Sequence, residues 1–487
     1  MPPSDDEVTT QPLGAIRRLD DGSPVPEPPF EKPSAVVRLF GSDDFFRLWL
    51  AQVVSALGDW IGFVAVVAIA TRVGGDSPAA AVSLVMSARM IPGFFLAPVA
   101  GVLVDRWDRK KVMVACDLAR AAVLATLPFI DHVWTLVVAS LALEVATLLW
   151  SPAKEASVPN IVPASHLATA NSLSIVAAYG TFPIATLLFA FLAKVATWLG
   201  GIDSLDFLTI DQEFIAIYLD VVTFCLSAVL IWTLAIPART TTRGTDGERA
   251  RIDLYATLRE LRDGWRFMFI NPTVRAVMVG IGTGLIGGGM VVPLGDIFSR
   301  RVLGGGSAGF GLLLTGMGFG MAAGVLLVTT MQKRLPKVRV FCWSVFLAGV
   351  AILLAATMET LPAAVLFVAL LGICAGSVYV LGFTILHETV EDDMRGRIFS
   401  ALYTLVRFCL LLSFSLGPLL AESLGRVSRR LFEDGRVEVA GFDVLLPGER
   451  LALWLAGVVI IGAGLLAFTS LRVGERRAVV DVDADGE

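Results

Sequence analysis

Charged residues are scarce in this chain of 487 residues. Lys, Arg, Asp and Glu together make up 17% of it, whereas about 25% is typical of soluble globular proteins. Apolar residues reach 55%, which is enough for about 12 membrane-crossing helices of about 20 residues each. The shortage of charge therefore excludes a water-soluble enzyme and indicates an integral membrane protein.

Cysteines are also few, and all five lie inside apolar runs: Cys116, Cys225, Cys342, Cys374 and Cys409. This distribution excludes a secreted scaffold held together by disulfides. The sequence also lacks a Gly-rich phosphate loop followed by Lys and Ser or Thr, so ATP is not the expected energy source. No pattern indicates a metal site or a covalent nucleophile, so we expect no cofactor and no metal.

The net charge of −5 comes from the two ends of the chain. Residues 1–31 carry −5 and residues 473–487 carry −3, while the body between them carries +3. Both ends are polar, and we expect them to be disordered. The first 40 residues lack the apolar core of a signal peptide, so none is expected. The acidity of the tails indicates no basic partner, and we expect no nucleic-acid partner.

Twelve apolar runs, bounded by charged or turn residues, are long enough to be membrane-spanning helices. The split between the third and fourth runs is placed at Asp131 and His132, because about 40 apolar residues is twice the length of one span. The predicted spans 1 to 12 are 46–71, 80–104, 112–131, 133–151, 167–196, 214–236, 273–298, 308–331, 340–358, 361–386, 398–422 and 450–472.

The distribution of Lys and Arg predicts the orientation of these spans. With the N-terminus cytoplasmic, 27 of the 39 Lys and Arg residues fall in the inner connections and 8 in the outer ones. Cytoplasmic loops of membrane proteins carry an excess of these residues. We therefore expect a multi-pass protein of the plasma (inner) membrane with both termini cytoplasmic.

The predicted spans form two similar halves. The connections after spans 2 and 8 resemble each other, as do those after spans 4 and 10, which indicates an internal repeat. Leu254, Leu258, Leu261 and Trp265 in the middle linker follow helical spacing, which predicts an amphipathic helix on the inner membrane surface. The predicted parts are a disordered tail (1–44), the N-terminal half (45–236), the linker (237–272), the C-terminal half (273–472) and an acidic tail (473–487). The C-terminal half includes an extracytoplasmic insertion at 423–449.

The loop between spans 2 and 3 has a specific pattern. Residues 101–111 read GVLVDRWDRKK, which resembles the loop motif of the major facilitator superfamily. Residues 46–66, 151–174 and 392–405 resemble its macrolide-efflux and enterobactin-exporter branch of drug:proton antiporters. The resemblance extends over about residues 44–472. It implies an all-α fold of 12 helices in two pseudo-symmetric halves, with a central cavity lined by spans 1, 4, 7 and 10.

The same resemblance implies a conformational latch at this loop. In the family the aspartate, here Asp105, braces span 2 against the start of span 11 in the outward-open state. A carboxylate among cations keeps its charge readily. The alternative is that the cations only enforce topology. The predicted latch residues are Gly101, Asp105, Arg106, Arg109, Lys110, Lys111 and Arg397.

Titratable side chains inside spans are costly in lipid and normally face a cavity. Asp59 lies in the middle of span 1 on a polar stripe with Gln52 and Ser55. Glu144 lies near the middle of span 4, and Asp296 lies toward the outer end of span 7. A carboxylate in an apolar pocket can load and release a proton near physiological pH. Asp59, Glu144 and Asp296 are therefore predicted to couple protons, and Gln52, Ser55, Asp59 and Glu144 are predicted to line the cavity.

Structural roles are the alternatives for these polar groups. Asp59 could form a salt bridge that only holds helices together, with Arg89 or Arg407 as its partner. Asp117 and Arg120 are three residues apart on span 3 and are expected to pair with each other.

Two further features concern packing and movement. Asp220 in span 6 is expected to serve helix packing. Gly287, Gly288 and Gly289 in span 7 are expected to act as a hinge, and close helix packing is the alternative.

These features together predict a secondary transporter. The first hypothesis is proton-coupled efflux of a small amphipathic compound, such as a drug, a macrolide-like molecule or a siderophore. The second is transport of a lipid or lysolipid by the same fold, and the third is a receptor or scaffold without transport. The expected partners are the substrate, protons and membrane lipid, and the protein is expected to be a monomer.

Overall fold

Apolar runs of this length satisfy their backbone hydrogen bonds in lipid by forming helices. The computed structural model describes residues 35–104, 107–200, 213–235, 271–331, 334–390, 392–432, 436–439 and 442–484. In these residues, 12 helices are long and apolar enough to cross a membrane. This confirms the predicted all-α fold class.

The twelve spans are numbered in chain order, and spans 5 and 7 each consist of two helices. A short helix, Ala35–Phe40, precedes them. Their bounds are Asp43–Val73, Pro78–Val104, Arg109–Thr126, Val133–Ile161, Leu167–Tyr179 with Phe182–Leu199, Phe214–Trp232, Pro272–Gly289 with Val291–Arg301, Gly306–Met331, Lys337–Thr357, Leu361–Thr389, Asp392–Leu431 and Gly448–Ala484.

Side-chain caps fix where several spans begin. The Ser42 hydroxyl accepts a hydrogen bond from the Phe45 amide at 3.0 Å, at the start of span 1. The Asp108 carboxylate accepts from the Lys111 amide at 3.0 Å, at the start of span 3. Such caps satisfy backbone donors that have no partner within the helix. Asp108 therefore has a local structural role in the loop before span 3.

The end of the chain differs from the sequence prediction. The span 11 helix continues to Leu431, and a hairpin of strands β1 (Arg436–Val439) and β2 (Phe442–Leu445) follows it. Span 12 begins at Gly448 and its helix extends to Ala484, into the tail that was expected to be disordered. No proline interrupts this stretch, so the helix can continue past the apolar run. The predicted amphipathic helix of the linker lies outside the described residues, which resume at 271.

The hairpin is anchored by a buried cation. Arg450, at the start of span 12, is fully buried. Its guanidinium donates to the Leu445 carbonyl at 2.7 Å and to the Met358 carbonyl at 3.3 Å. The connection between spans 11 and 12 is thus fixed to the bundle at its β2 end.

Spans 1–6 and spans 7–12 form two halves. One apolar cluster lies within each half, and a third cluster, mostly in the N-terminal half, includes Val292, Phe310 and Phe414 of the C-terminal half. The halves meet where span 2 packs against span 11 and span 5 packs against span 8. The Ser87 and Ser415 hydroxyls are 2.7 Å apart, and the Thr315 and Thr186 hydroxyls are 3.1 Å apart. These contacts lie in the part of the bundle where spans 2, 6 and 8 begin, which we call the closed end. The opposite side, where spans 1, 3 and 7 begin, is the open end.

Candidate functional site

A cavity of about 770 Å³ lies beside the polar face of span 1, a size that is ordinary for small-molecule sites. Its described wall comes from spans 1 to 5 of the N-terminal half. Gln52, Ser55, Asp59 and Glu144 all line it. The structure thus brings together the four residues that the sequence predicted for a cavity. Its described wall adds spans 2, 3 and 5 to the expected spans 1 and 4, and it includes no residue of the expected spans 7 and 10.

Hydrogen bonds between spans 1 and 5 fix the polar face of span 1. The Trp60 indole donates to the Ala178 carbonyl at 2.9 Å, and the Gln52 amide donates to the Ser174 carbonyl at 3.0 Å. Span 5 is interrupted between Tyr179 and Phe182, close to these carbonyls. Asp59 therefore projects from a helix whose rotation is fixed by its neighbour.

Arg120 is the central charge of the site. Its guanidinium donates to Asp59 Oδ2 at 3.2 Å and also pairs with Asp117 three residues earlier on span 3. Ser227 of span 6 donates to the second oxygen of Asp117 at 2.7 Å. The Arg120 and Asp117 side chains are buried, whereas the Asp59 side chain is 36% exposed toward the cavity. The predicted Asp117–Arg120 pair is present, and Asp59 is bound by Arg120 rather than by Arg89 or Arg407.

The correction for Asp59 has a physical reason. The side chains of Asp117 and Arg120 meet because residues three apart lie on the same face of a helix. The partner of Asp59 depends instead on how spans 1 and 3 are rotated against each other, which the spacing within one span does not encode. A buried Arg in an apolar span, which needs anionic partners, was the available signal for Arg120.

The Asp220 carboxyl lies behind Asp59, on span 6. The residue is 1% exposed, and its carboxyl oxygens lie against Gly58 and Gly62 of span 1. A side chain at either glycine would collide with this carboxyl. The expected packing role is therefore visible, because span 1 approaches span 6 closely only where it lacks side chains.

Glu144 lies on the cavity wall beside Gly93 of span 2. It is half-buried and makes no hydrogen bond or ion pair with any residue that the structure describes. Arg89 also lines the cavity, with its guanidinium 5.3 Å from the Phe63 ring centre. Asp59 and Glu144 therefore share one cavity, and Glu144 is open to a ligand.

Asp296 lies apart from this cavity, at the closed end. Its carboxylate accepts a hydrogen bond from Arg300 Nε at 2.8 Å, and Arg300 Nη2 donates to Glu213 Oε1 of the N-terminal half at 2.7 Å. The Ser307 hydroxyl donates to Glu213 at 2.9 Å. The structure thus places Asp296 in an ion-pair cluster that joins the halves, away from Asp59 and Glu144.

The predicted latch is described only in part. Asp105 and Arg106 lie outside the described residues, as do the surroundings of Gly101 and the side chain of Arg397. Arg109 donates to the Ala156 carbonyl of span 4 at 2.6 Å, and Lys110 donates to the Leu234 carbonyl after span 6 at 2.8 Å. Two of the predicted latch cations therefore hold helix ends within their own half.

Span 7 breaks at the predicted hinge. Its first helix ends at Gly289 and its second begins at Val291. Gly287 lies against Ile460 of span 12 and Gly289 lies against Ser413 of span 11, whereas a Cβ atom added at Gly288 would be 3.9 Å from its nearest neighbour, Leu371. The break and the close packing therefore occur at the same residues.

The C-terminal half presents an aromatic surface that the sequence analysis missed. Phe383 of span 10 contacts the Tyr379, Phe399 and Tyr403 rings, with ring centres 4.7, 5.7 and 6.2 Å apart. Tyr379 and Tyr403 are more than half exposed. The C-terminal half thus carries an exposed aromatic surface, formed by residues of spans 10 and 11.

Comparison with known proteins gives one consistent family. Residues 38–417 match the family model described as "Transmembrane secretion effector". The chain is similar to the uncharacterized MFS-type transporter YfiS of Bacillus subtilis, with 25% identity over 454 residues that cover 88% of this chain and 94% of the relative. It is also similar to macrolide efflux protein A of Streptococcus pyogenes, with 21% identity over 394 residues that cover 78% and 90%.

Solved structures share the fold. A bacterial homolog of the human lysosomal transporter Spinster, in an inward-facing and unoccupied conformation, superimposes with a TM-score of 0.66 at 14% identity, over 88% of this chain and 97% of that one. The nucleoside transporter NupG superimposes with a TM-score of 0.62 at 10% identity, over 88% and 99%. At these identities the likeness defines the fold and leaves the substrate open.

Proposed function

The chain belongs to the transmembrane secretion effector family of major facilitator superfamily transporters, and on that premise we propose that it exports a small amphipathic compound in exchange for protons. Members of this superfamily are multi-pass membrane transporters and not enzymes. The observation that carries the proposal is the Asp59–Arg120 ion pair, which is exposed to the cavity on one side and buried on the other.

Transport by alternating access needs a central site that opens to one side at a time. The halves are joined at the closed end by the Glu213–Arg300 ion pair and the Ser87–Ser415 hydrogen bond. With the orientation that the Lys and Arg distribution predicts, the closed end is extracytoplasmic and both termini are cytoplasmic. The structure then corresponds to an inward-open state, from which substrate is loaded for efflux.

Proton coupling follows from the balance of charge in the N-terminal half. Asp59 and Asp117 share one buried guanidinium, that of Arg120. Buried carboxylates in excess of cations are costly unless they bind protons. We propose that a proton binds Asp59 when the substrate leaves, which would release Arg120 from Asp59. Glu144 is the second candidate in the cavity.

Asp296 is a weaker candidate for coupling, because Arg300 already neutralises it at the closed end. We keep the latch at Asp105, the hinge at Gly287–Gly289 and the predicted division of the chain into two halves as parts of the proposal. The cycle also implies a monomer in the plasma membrane that needs only substrate, protons and lipid.

The amphipathic class of the substrate is supported by the charged cavity of the N-terminal half and the exposed aromatic cluster of the C-terminal half. Glu144 and Arg89 offer charge in the cavity, and the Tyr379–Phe383 cluster offers aromatic faces. Aromatic side chains bind apolar rings and chains with large contact areas. The similarity to macrolide efflux protein A supports efflux of a drug-like compound and a role in drug resistance.

The proposal is tested with purified protein in liposomes that carry a pH gradient. We expect the liposomes to accumulate a fluorescent amphipathic dye against the dye's own gradient, while protons leave the liposomes. A labelled lysolipid in parallel vesicles separates efflux of small compounds from lipid transport. Binding without any proton-linked movement of either compound would support the receptor or scaffold instead.

A further inference from the structure

One buried carboxyl of the N-terminal half has no part in the cycle described so far. Asp220 lies six residues after Phe214, the first residue of span 6, which is about 9 Å along a helix. Its carboxyl lies against residues of span 1 on either side of Asp59 along the chain, so the two acids are at about the same depth in the bundle. Its side chain is 1% exposed.

Span 1 has glycines where it meets the Asp220 carboxyl. One carboxyl oxygen lies against Gly58 and the other against Gly62, one turn apart on span 1. Gly58 is the residue before Asp59, so the Asp220 carboxyl is next to the backbone that carries the cavity carboxylate. A single close approach of two helices thus places a second acid behind the first.

The hydrogen bonds of Asp220 indicate its protonation state. The Thr223 hydroxyl oxygen is 2.7 Å from the Asp220 backbone carbonyl and 3.1 Å from Asp220 Oδ1. A hydroxyl has one hydrogen to donate. The Thr223 hydroxyl donates it to the backbone carbonyl, which is the closer of the two oxygens. Both contacts are satisfied at once when Asp220 carries a proton and donates it to the Thr223 oxygen.

The charged groups around Asp220 lead to the same conclusion. Asp59 on span 1, Arg120 with Asp117 on span 3, and Arg89 on span 2 are the charged neighbours described for it. The ion pairs of this region join Arg120 to Asp59 and to Asp117, and none in the described part of the chain reaches Asp220. A buried carboxylate without a bonded cation is costly, so the neutral acid fits the site.

We propose that Asp220 is a second proton-binding site, which holds a proton behind Asp59 and exchanges it with Asp59 during the cycle. The exchange rests on the proposed proton-coupled function. In the transfer, the O–H bond at Asp220 breaks and an O–H bond forms at Asp59, so Asp220 takes the negative charge that Asp59 gives up. Thr223 is the positioning residue for this proton.

Infrared spectroscopy of the purified full-length protein in lipid vesicles tests the site directly. A protonated carboxylic acid has a C=O stretch that is separate from the bands of carboxylates and amides. Asp220→Asn should remove one such band at neutral pH from the difference spectrum. The same variant should lose pH-gradient-driven dye accumulation while keeping downhill movement.

Thr223→Val keeps the Asp220 carboxyl and removes the hydroxyl that accepts a hydrogen bond from it. It should move the same band to higher frequency, because the O–H group loses its hydrogen bond. Thr329→Val is the matched control, since the Thr329 hydroxyl also donates to a backbone carbonyl of its own helix, here that of Val325, but on an exposed face of span 8. The control should leave the band in place. If Asp220→Asn fails to fold, Thr223→Val decides the question.

The outcomes separate this inference from the proposed function. A band that persists in Asp220→Asn, or that does not move in Thr223→Val, overturns the proton site. Loss of the band in Asp220→Asn, combined with full uphill transport by Asp59→Asn, would keep the proton site and overturn the coupling role of Asp59.

Discussion

The ion pair between Glu213 and Arg300 should bias the protein toward the conformation seen here. Glu213 is almost fully buried and accepts hydrogen bonds from Arg300 at 2.7 Å and from Ser307 at 2.9 Å. Glu213→Gln keeps the shape and removes the charge. A hydrogen bond to a charged group contributes about 1.5–3 kcal/mol, so the change should raise the population opened at the closed end by about 10- to 150-fold.

Disulfide crosslinking measures that shift. Ser87 and Ser415 are replaced by cysteine in a version without the five native cysteines, because their hydroxyls are 2.7 Å apart in the closed arrangement. Glu213→Gln should slow crosslink formation. The adjacent Arg301 pairs with Glu449 at 2.8 Å within the C-terminal half, so Glu449→Gln is the matched control and should leave the rate unchanged. Equal rates in Glu213→Gln and the parent would refute the reasoning.

Three further predictions concern topology, the latch and packing. A cysteine in place of the exposed Arg430 should react with an impermeant thiol reagent on intact cells, and labelling only after lysis would reverse the proposed orientation. Asp105→Asn should reduce turnover far more than substrate affinity, because the residue is proposed to bias conformations; loss of affinity with normal turnover would contradict the latch. Gly62→Ala should destabilise the protein by about 1–3 kcal/mol, because its methyl group collides with the Asp220 carboxyl. Gly284→Ala, where a methyl group meets nothing within 4 Å, should not lower the melting temperature, because Ala is favoured over Gly inside a helix.

The fold could be predicted from the sequence because membrane spans are read from local composition. Each span satisfies its own backbone, so apolar length alone located 12 helices. Even the split of the third and fourth runs was correct, since span 3 ends at Thr126 and span 4 begins at Val133. The extension of span 11 to Leu431 was missed, because its last turns are polar and lie beyond the apolar run.

The candidate site could be predicted only where the information is local. The polar stripe of span 1 located Asp59, and the spacing of Asp117 and Arg120 gave their ion pair. The contact between Asp59 and Arg120 depends on the rotation of two helices that no spacing within one span specifies. For Asp296 a local signal was present, because Arg300 follows it by four residues on the same helix face.

The Asp220 site shows a third kind of limit. Within span 1, the glycines at 58 and 62 do not indicate which helix they contact. Within span 6, the position of Asp220 does not indicate its neighbour. Their meaning lies in the packing of span 1 against span 6, where a carboxyl occupies the space that two missing side chains leave. A pattern within one helix predicts which face is polar, and it leaves open which group of another helix meets that face.

The most direct test of the central claim is dye accumulation by Asp59→Asn in liposomes with an imposed pH gradient. The change keeps the shape of the side chain and removes its titration. The account predicts that uphill accumulation is abolished while downhill movement continues, and that Glu144→Gln is milder in the same vesicles. Accumulation against the gradient by Asp59→Asn at the parent's level would contradict proton coupling through this residue.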